Sequence, residues 1–164
     1  MKIIFLDIDG VLNSAEYMSF KQEEWNSGDD SKMIDENSVS LLNKIVQETG
    51  AKVVISSSWR LHFTIEKLRE ILCSKGFIGE IIDKTPTINP LIDEIEVHGN
   101  IPRGLEIQKW LRSKPHNIES FVILDDNSDM VHLSKFLVKT TWEHGMLEQH
   151  VLKAIEILNK ESKI

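Results

Sequence analysis

Runs of apolar residues predict the strands of this chain. A run that is apolar at nearly every position is typical of a strand buried on both faces, as in the centre of a parallel sheet. Runs of this kind lie at residues 3–6, 51–55 and 121–124. Two shorter strands are predicted at residues 80–83 and 136–139.

Between these runs, apolar residues recur three and four positions apart, which is the spacing of a helix with one buried face. In the first such segment Val39, Leu42 and Ile45 share a face. Asp35 is placed to cap the start of that helix and Gly50 to end it. The predicted helices lie at residues 36–48, 64–75, 103–112 and 146–158, with a short helical turn at 129–134.

Two segments lack a clear period. Residues 14–34 hold scattered aromatic side chains among polar ones, and we interpret this segment as a surface flap or minimal cap. Residues 84–102 carry three of the four prolines. We expect this second segment to be mostly loop, with a small strand or hairpin at 91–97.

Strands and helices alternate along the chain, which predicts an α/β fold with a doubly wound, mostly parallel Rossmann-like sheet and helices on both faces. The length favours one domain over residues 1–164. In such sheets ligands bind beyond the carboxyl ends of the strands, where the strand order reverses. Three of the predicted strands end in polar residues, so we expect those endings to meet in one crevice.

Composition narrows the functional classes. The chain is 41% hydrophobic and 27% charged, as in ordinary globular proteins, and its net charge of −7 argues against extended non-specific nucleic-acid binding. A local basic pocket would still suffice for a nucleic-acid end. No apolar stretch reaches membrane-spanning length and the first run is too short for a signal peptide, so we expect no membrane association and a cytoplasmic location.

Cysteine and histidine offer no candidate metal ligands. Cys73 is the single cysteine, which excludes an internal disulfide. It falls in a predicted helix beside Leu72, and we expect a buried structural thiol. The histidines show no metal-ligand spacing and are expected to be structural or surface residues: His62, His98, His116, His132, His144 and His150.

The ending of the first strand is the first candidate site. Asp7 and Asp9 follow the apolar run, and Gly10 comes directly after them. Carboxylates at the end of a buried strand repel each other and are costly to desolvate, so a compensating cation is expected. Gly10 allows a sharp turn and a close approach. An ordinary Asp-rich turn has the same composition, and the other strand endings decide between the two interpretations.

The first predicted strand ends in Asp7 and Asp9, the second in Ser56, and the strand at 121–124 in Asp125 and Asp126. Together, these endings resemble the haloacid dehalogenase-like (HAD) superfamily of phosphohydrolases. Its first motif stands intact as DIDGVL at residues 7–12. Its second motif, an apolar strand ending in serine or threonine, matches the strand before Ser56. Its fourth motif, a strand ending in paired acids, matches Asp125 and Asp126, with Asp129 nearby. The runs ISSSWR and RGLEI further resemble the small HAD domains of Swiss-Army-knife RNA-repair proteins.

The third HAD motif is a lone basic residue at the start of the helix before the acid-ended strand. Arg103 occupies that position, where lysine is commoner in the superfamily. Lys84 is the better rival for this role, because Lys109 lies in the middle of a predicted helix. A guanidinium can contact two phosphate oxygens at once, so arginine is chemically able to replace lysine here.

The resemblance implies a Mg²⁺-dependent phosphomonoesterase that forms an aspartyl-phosphate on Asp7. Asp9 would then act as general acid and base. The implied metal ligands are Asp7, Asp126 and the backbone carbonyl of Asp9, with Asp125 binding the metal or orienting its waters. The implied contacts to the substrate phosphate come from Gly10, Ser56, Ser57 and Arg103.

Residues beside the motifs bear on the substrate. Trp59 and Arg60 are expected at the mouth of the site, with a core position as the alternative for Trp59. Asp129 is expected to hold the acidic loop without touching the metal. Neither irregular segment is long enough for a full cap domain, so a bulky substrate would be admitted. The candidates are a nucleic-acid terminal phosphate, a nucleotide, a phosphoprotein and a small phosphorylated metabolite.

Three other functions fit parts of the pattern. Metal-dependent nucleases also gather carboxylates at strand ends, but a two-metal site needs neither the serine nor the basic helix start. Response-regulator receivers pair acids beside an acceptor aspartate, but on a later strand than the first. A non-catalytic binding module on the same fold is the third alternative, because fold does not dictate function.

Overall fold

The computed structural model describes residues 1–21, 27–93, 99–113 and 118–160. Its strands are β1 (Lys2–Leu6), β2 (Lys52–Ile55), β3 (Ile81–Lys84), β4 (Ser120–Asp125) and β5 (Leu137–Lys139). Its α-helices are α1 (Ala15–Phe20), α2 (Glu36–Thr49), α3 (Ile65–Ser74), α4 (Pro90–Asp93), α5 (Arg103–Ser113) and α6 (Glu148–Leu158). Single 3₁₀ segments lie at Asp30–Met33, Ser58–Leu61 and Val131–Phe136.

The five strands form one sheet in the order β3-β2-β1-β4-β5, and every neighbouring pair is parallel. The chain starts in the centre at β1, runs outward through β2 and β3, and returns to the other side of β1 for β4 and β5. The strand order therefore reverses between β1 and β4, whose carboxyl ends bound the crevice where ligands bind in such sheets. The predicted α/β fold is confirmed.

Side chains on the two faces of β1 belong to different apolar clusters. Ile4 and Leu6 pack in the cluster that also contains residues of α2, α3 and α6. Ile3 and Phe5 pack on the opposite face, with residues of α5. Edge-to-face contacts join the Phe5 ring to Trp110 and Phe121, at centroid distances of 5.3 and 5.7 Å. Helices thus cover both faces, which leaves the carboxyl edge of the sheet for the site.

Helix α2 begins where predicted and ends one residue later, because the residues that cap it are recognisable in the sequence. The Asp35 side chain accepts a hydrogen bond from the backbone N–H of Asn37, and Gly50 ends α2 in the left-handed conformation with φ of 66°. The Thr64 side chain likewise accepts from the N–H of Lys67 at the start of α3. These side chains satisfy N–H groups that have no partner within the helix.

Two local predictions are wrong. Residues 91–93 belong to the short helix α4 rather than to a strand or hairpin, because the Asn89 side chain accepts from the N–H of Leu91 and Pro90 takes the first helical position; residues 94–98 lie outside the described ranges. Cys73 is exposed rather than buried. It follows Leu72 by one residue, a rotation of about 100° away from the buried face of α3.

The predicted flap at residues 14–34 contains regular structure at both ends. Helix α1 is capped by the Ser14 side chain, which accepts from the N–H of Tyr17. The Tyr17 hydroxyl lies 3.0 Å from the carbonyl oxygen of Lys32 and 3.1 Å from that of Ile34, which joins the two ends of the segment. Trp25 lies outside the described residues. Within the described ranges, no helix combines the length and apolar content needed to cross a bilayer.

Candidate active site

Hydrogen bonds that continue the sheet ladder bring the strand endings together. The N–H of Asp7 donates to the carbonyl of Leu124 at 2.9 Å, and the N–H of Ser56 donates to the carbonyl of Leu6 at 2.9 Å. Asp7 is thereby fixed beside the end of β4 and Ser56 beside the end of β1. The backbone register places the predicted nucleophile, the serine and the acid pair in one crevice.

Three carboxylates form the centre of the site. Asp7, Asp125 and Asp126 each offer an oxygen, and these oxygens lie within 4.8 Å of one another. Asp7 is 4% exposed and Asp125 is fully buried. The Asp125 Oδ2 atom is buried and has no hydrogen-bond partner among the described residues. A buried acceptor without a partner is costly, so the cluster is suited to a group that supplies positive charge.

Each of the three clustered carboxyl groups has a raised pKa. Burial raises the pKa of the Asp7 carboxyl, with nearby Arg103 opposing the change. Burial and the neighbouring Asp7 raise the pKa of Asp125 to about 7, and the same two causes raise the pKa of Asp126. Close carboxylates that resist ionisation together are chemically matched to a hard divalent cation such as Mg²⁺. Asp7, Asp125 and Asp126 are the residues that would hold it.

The Asp9 side chain lies outside this carboxylate group and is held by two donors. Its Oδ1 accepts from Asn13 Nδ2 at 2.9 Å, and its Oδ2 accepts from Trp59 Nε1 at 3.0 Å. The Asn13 side-chain oxygen in turn accepts from the N–H of Gly10 at 3.0 Å. These contacts fix the Asp9 carboxylate apart from the clustered oxygens of Asp7, Asp125 and Asp126.

Gly10 lies where the turn after β1 meets the acidic loop at residues 125–130. Its φ is +73°, and a Cβ atom there would lie 2.5 Å from Asp126 Oδ2. The Thr140 hydroxyl donates to the Gly10 carbonyl at 2.6 Å and holds this backbone in place. Glycine is therefore required both by the backbone conformation and by the carboxylate beside it.

The serine loop, residues 56–60, places two hydroxyls at the site. Ser56 and Ser57 are both fully buried. The Ser56 hydroxyl has no hydrogen-bond partner among the described residues, whereas the Ser57 hydroxyl interacts with Asp7 and opposes the rise in its pKa. Ser57 also caps the following 3₁₀ segment by accepting from the N–H of Trp59. Ser56 is thus the hydroxyl left available to a bound anion.

Of the three candidate basic residues, the structure brings Arg103 to the carboxylates. Its Nη2 lies 3.8 Å from Asp7 Oδ2 and its Nε lies 3.9 Å from Asp125 Oδ2. Its Nη1 is buried and has no hydrogen-bond partner in the described part of the chain. Lys84 instead donates to the carbonyls of Arg60 and Phe63, and Lys109 pairs with Asp93.

Two neighbouring residues have supporting roles in the geometry. The Asp129 carboxylate accepts from the backbone N–H of Arg103 at 2.9 Å and so caps the start of α5, outside the carboxylate group. Arg60 was expected at the mouth of the site, but its side chain is buried and bonded to backbone carbonyls. The expectation is wrong because three acceptor oxygens and a carboxylate surround its guanidinium.

The contacts that Asn13 and Thr140 make at the site were among those that sequence reasoning missed. Asn13 could have been suspected from its place four residues after Asp9, because asparagine often closes such turns. Thr140 follows β5 and reaches Gly10 across the sheet, and no local pattern signals that contact.

The sheet is all-parallel, and its strands β1, β2 and β4 end at acids, at serine and at acids, respectively. This is the arrangement of the HAD superfamily of hydrolases, which the sequence motifs also resemble. The chain belongs to the family described as the HAD domain in Swiss Army Knife RNA repair proteins, whose profile matches residues 3–151. No curated protein and no solved structure matches this chain. The family match confirms the superfamily and the subgroup suggested by the sequence motifs.

The carboxylate cluster predicts a pH-dependent effect of Asp125→Asn on the metal-free protein. Because the folded-state pKa of Asp125 is raised to about 7, its contribution to stability is present at acidic pH and is lost as pH rises through that value. The amide avoids this loss, so between pH 5 and pH 8 in chelator the variant should gain on the order of 2 kcal/mol relative to wild type. Thermal or urea unfolding at both pH values measures this difference.

In saturating Mg²⁺ at pH 8 we expect the wild type to be more stable to unfolding than Asp125→Asn, because the wild-type carboxylate then lies beside a cation. If the difference in unfolding free energy between the variant and the wild type is the same at both pH values, Asp125 does not have the raised pKa on which the prediction depends.

Proposed function

We propose that this protein is a Mg²⁺-dependent phosphomonoesterase. The observation that carries the proposal is that one crevice holds both groups suited to bind a cation and groups suited to bind an anion. Carboxylates suited to a cation lie beside groups suited to an anion, namely the Ser56 hydroxyl and the Arg103 Nη1, for which the described residues provide no hydrogen-bond partner. A phosphate monoester bound with a divalent cation satisfies both sets at once.

Each residue then has a definite role. Asp7 attacks phosphorus, so that the bond to the ester oxygen breaks and an aspartyl-phosphate forms. Asp9 protonates the departing oxygen, and it later takes a proton from the water that attacks the same phosphorus and releases inorganic phosphate. When bound by Asp7, Asp125 and Asp126, Mg²⁺ would supply charge neutralisation for the carboxylates and the phosphate.

Ser56 and Arg103 act on the transferring phosphoryl group. The hydroxyl donates one hydrogen bond to an equatorial oxygen, and the planar guanidinium offers two donors to the others. Ser57 orients Asp7 through its hydroxyl, while Gly10 allows the phosphate to approach the backbone. The contacts of Asn13 and Trp59 hold Asp9 ready for proton transfer.

For the substrate, we propose a nucleic-acid terminal phosphate or a nucleotide. The family description names RNA repair. The flap spans only residues 14–34, with α1 six residues long, which favours a bulky leaving group over a fully enclosed substrate. The net charge of −7 favours contact with a chain end over contact along a strand. A small phosphorylated metabolite is the competing substrate class.

The test is a screen for release of inorganic phosphate from nucleotides, sugar phosphates and oligonucleotides with a 5′- or 3′-terminal phosphate. We expect release that requires Mg²⁺ and is lost in chelator, with oligonucleotide ends or nucleotides preferred. An internally labelled RNA distinguishes the nuclease alternative, because internal cleavage would contradict the proposal. Binding of phosphate with no turnover of any ester would instead favour a non-catalytic module.

A further inference from the structure

A buried arginine joins the serine loop to the rest of the site. Arg60 is 5% exposed. Its Nη1 donates to the carbonyls of Ser56 and Ser57 at 3.1 and 2.9 Å, and its Nε donates to the carbonyl of Thr85 at 3.0 Å. Its Nη2 forms an ion pair with Glu106 Oε1 at 2.5 Å. One side chain therefore holds the loop after β2, the loop after β3 and helix α5.

Glu106 lies one helical turn after Arg103 on α5. Its side chain is 12% exposed and that of Arg60 is 4% exposed. Burial raises the pKa of the Glu106 carboxyl, while Arg60 and Arg103 both oppose that change. The carboxylate is thus close enough to interact with two guanidinium groups, which would otherwise repel each other.

Stability alone is a poor reason to keep such a pair. Desolvating two charges costs several kcal/mol, and apolar replacements of buried ion pairs are often neutral or stabilising. In the described ranges, the ion pairs outside the site each have at least one partly exposed partner. The buried pair instead connects the two segments that present Ser56 and Arg103.

We infer that Arg60 and Glu106 are positioning residues that set the separation of the Ser56 hydroxyl from the Arg103 guanidinium. The inference rests on the proposed function, because these two groups are the proposed hydrogen-bond donors to the substrate phosphate. Arg60 fixes the serine loop through its backbone carbonyls, and Glu106 fixes Arg60 to α5 and balances its charge against Arg103. The planar fork of arginine suits acceptors in fixed directions, which the flexible ammonium of lysine does not match.

Glu106→Gln tests the inference with little change of shape. We expect the affinity for inorganic phosphate in the presence of Mg²⁺ to fall about tenfold, and kcat/KM to fall at least as far, as is usual when a residue that orients a ligand-binding group is lost. Calorimetric titration measures the first quantity and steady-state kinetics the second. Glu106→Asp, which restores the charge, should recover part of the phosphate affinity.

Asp83→Asn is the matched control. The Asp83 carboxylate accepts from Trp110 Nε1 at 2.9 Å and so also joins α5 to a strand. This carboxylate-to-amide change keeps one acceptor oxygen for Trp110 Nε1, while the local contact with the backbone N–H of Lys84 is lost. Phosphate affinity should stay within about twofold of wild type, because neither of these contacts involves Ser56 or Arg103. Loss in Glu106→Gln with retention in Asp83→Asn supports positioning rather than general loosening of the helix.

The two proposals fail in different ways. If wild-type protein hydrolyses no phosphate ester but Glu106→Gln still weakens phosphate binding, the phosphatase proposal is wrong and the positioning inference holds. If wild type is active and Glu106→Gln binds phosphate as well as Asp83→Asn does, the positioning inference is wrong. A Glu106→Asp variant no better than Glu106→Gln would also overturn it, since a restored charge would then have no effect.

Discussion

Asp7→Asn is expected to abolish phosphatase activity, with kcat lowered on the order of 10⁴-fold or more, as for other catalytic nucleophiles. The amide oxygen cannot attack phosphorus, so the covalent route is closed. The fold should persist, because Asp7 is buried with a raised pKa and the amide removes an unfavourable charge from that position. Release of phosphate from an aryl phosphate measures the activity, and circular dichroism during heating measures the fold.

The control for this variant is Asp35→Asn, a carboxylate-to-amide change at the N-terminus of α2. Asparagine caps helices as well as aspartate does, so full activity is expected. Acid-quenched wild-type protein should also carry a labelled phosphoryl group on Asp7, whereas Asp7→Asn should carry none. An Asp7→Asn protein that hydrolyses the ester at the wild-type rate would show that Asp7 is not the nucleophile.

The sheet was predictable because its strands are buried on both faces. Residues 3–6 and 121–124 were assigned from apolar runs alone, and the observed β1 and β4 extend them by one residue at one or both ends. Helix α2 was predictable because Asp35 and Gly50 mark its ends. Helix α4 was not, because four residues are too few to show a period and the local capping by Asn89 decided the conformation.

The convergence of the candidate site residues was predictable for a different reason. Carboxyl ends of neighbouring parallel strands meet at one edge, so Asp7, Ser56 and Asp125 had to converge once the strands were assigned. The preference for Arg103 over Lys84 could not be settled in this way. It depends on the direction of a long side chain, and Lys84 turns to the carbonyls of Arg60 and Phe63.

The contacts that hold the candidate site residues in place were the least predictable. Arg60 and Glu106 are far apart in sequence, and burial of both charges is visible only once α5 packs against the serine loop. A lone arginine after a strand is usually a surface residue. In the same way, Trp59 could be placed in the core or at the site from sequence, and its indole N–H proves to contact Asp9 while its ring is largely buried.

Gly10→Ala is expected to lower activity at least about 100-fold through loss of the metal site, because displacements near 1 Å are enough for such losses. The added Cβ would lie 2.5 Å from Asp126 Oδ2 and 2.6 Å from its Cγ, so the carboxylate or the turn must move. The turn is restrained by the hydrogen bond from Thr140 to the Gly10 carbonyl. The displacement therefore falls on Asp126, a proposed metal ligand, and the Mg²⁺ concentration needed for half-maximal rate should rise.

Gly50→Ala separates the clash from the backbone strain. Gly50 has a φ of +66°, close to the +73° of Gly10, but a Cβ there meets no atom within 4 Å. Both variants should lose about 1–2 kcal/mol of stability from the left-handed backbone, whereas only Gly10→Ala should lose Mg²⁺ affinity and activity. The shift in melting temperature caused by Mg²⁺ gives a second readout that does not depend on turnover. Equal Mg²⁺ responses in the two variants would show that contact between Gly10 and Asp126 does not define the metal site.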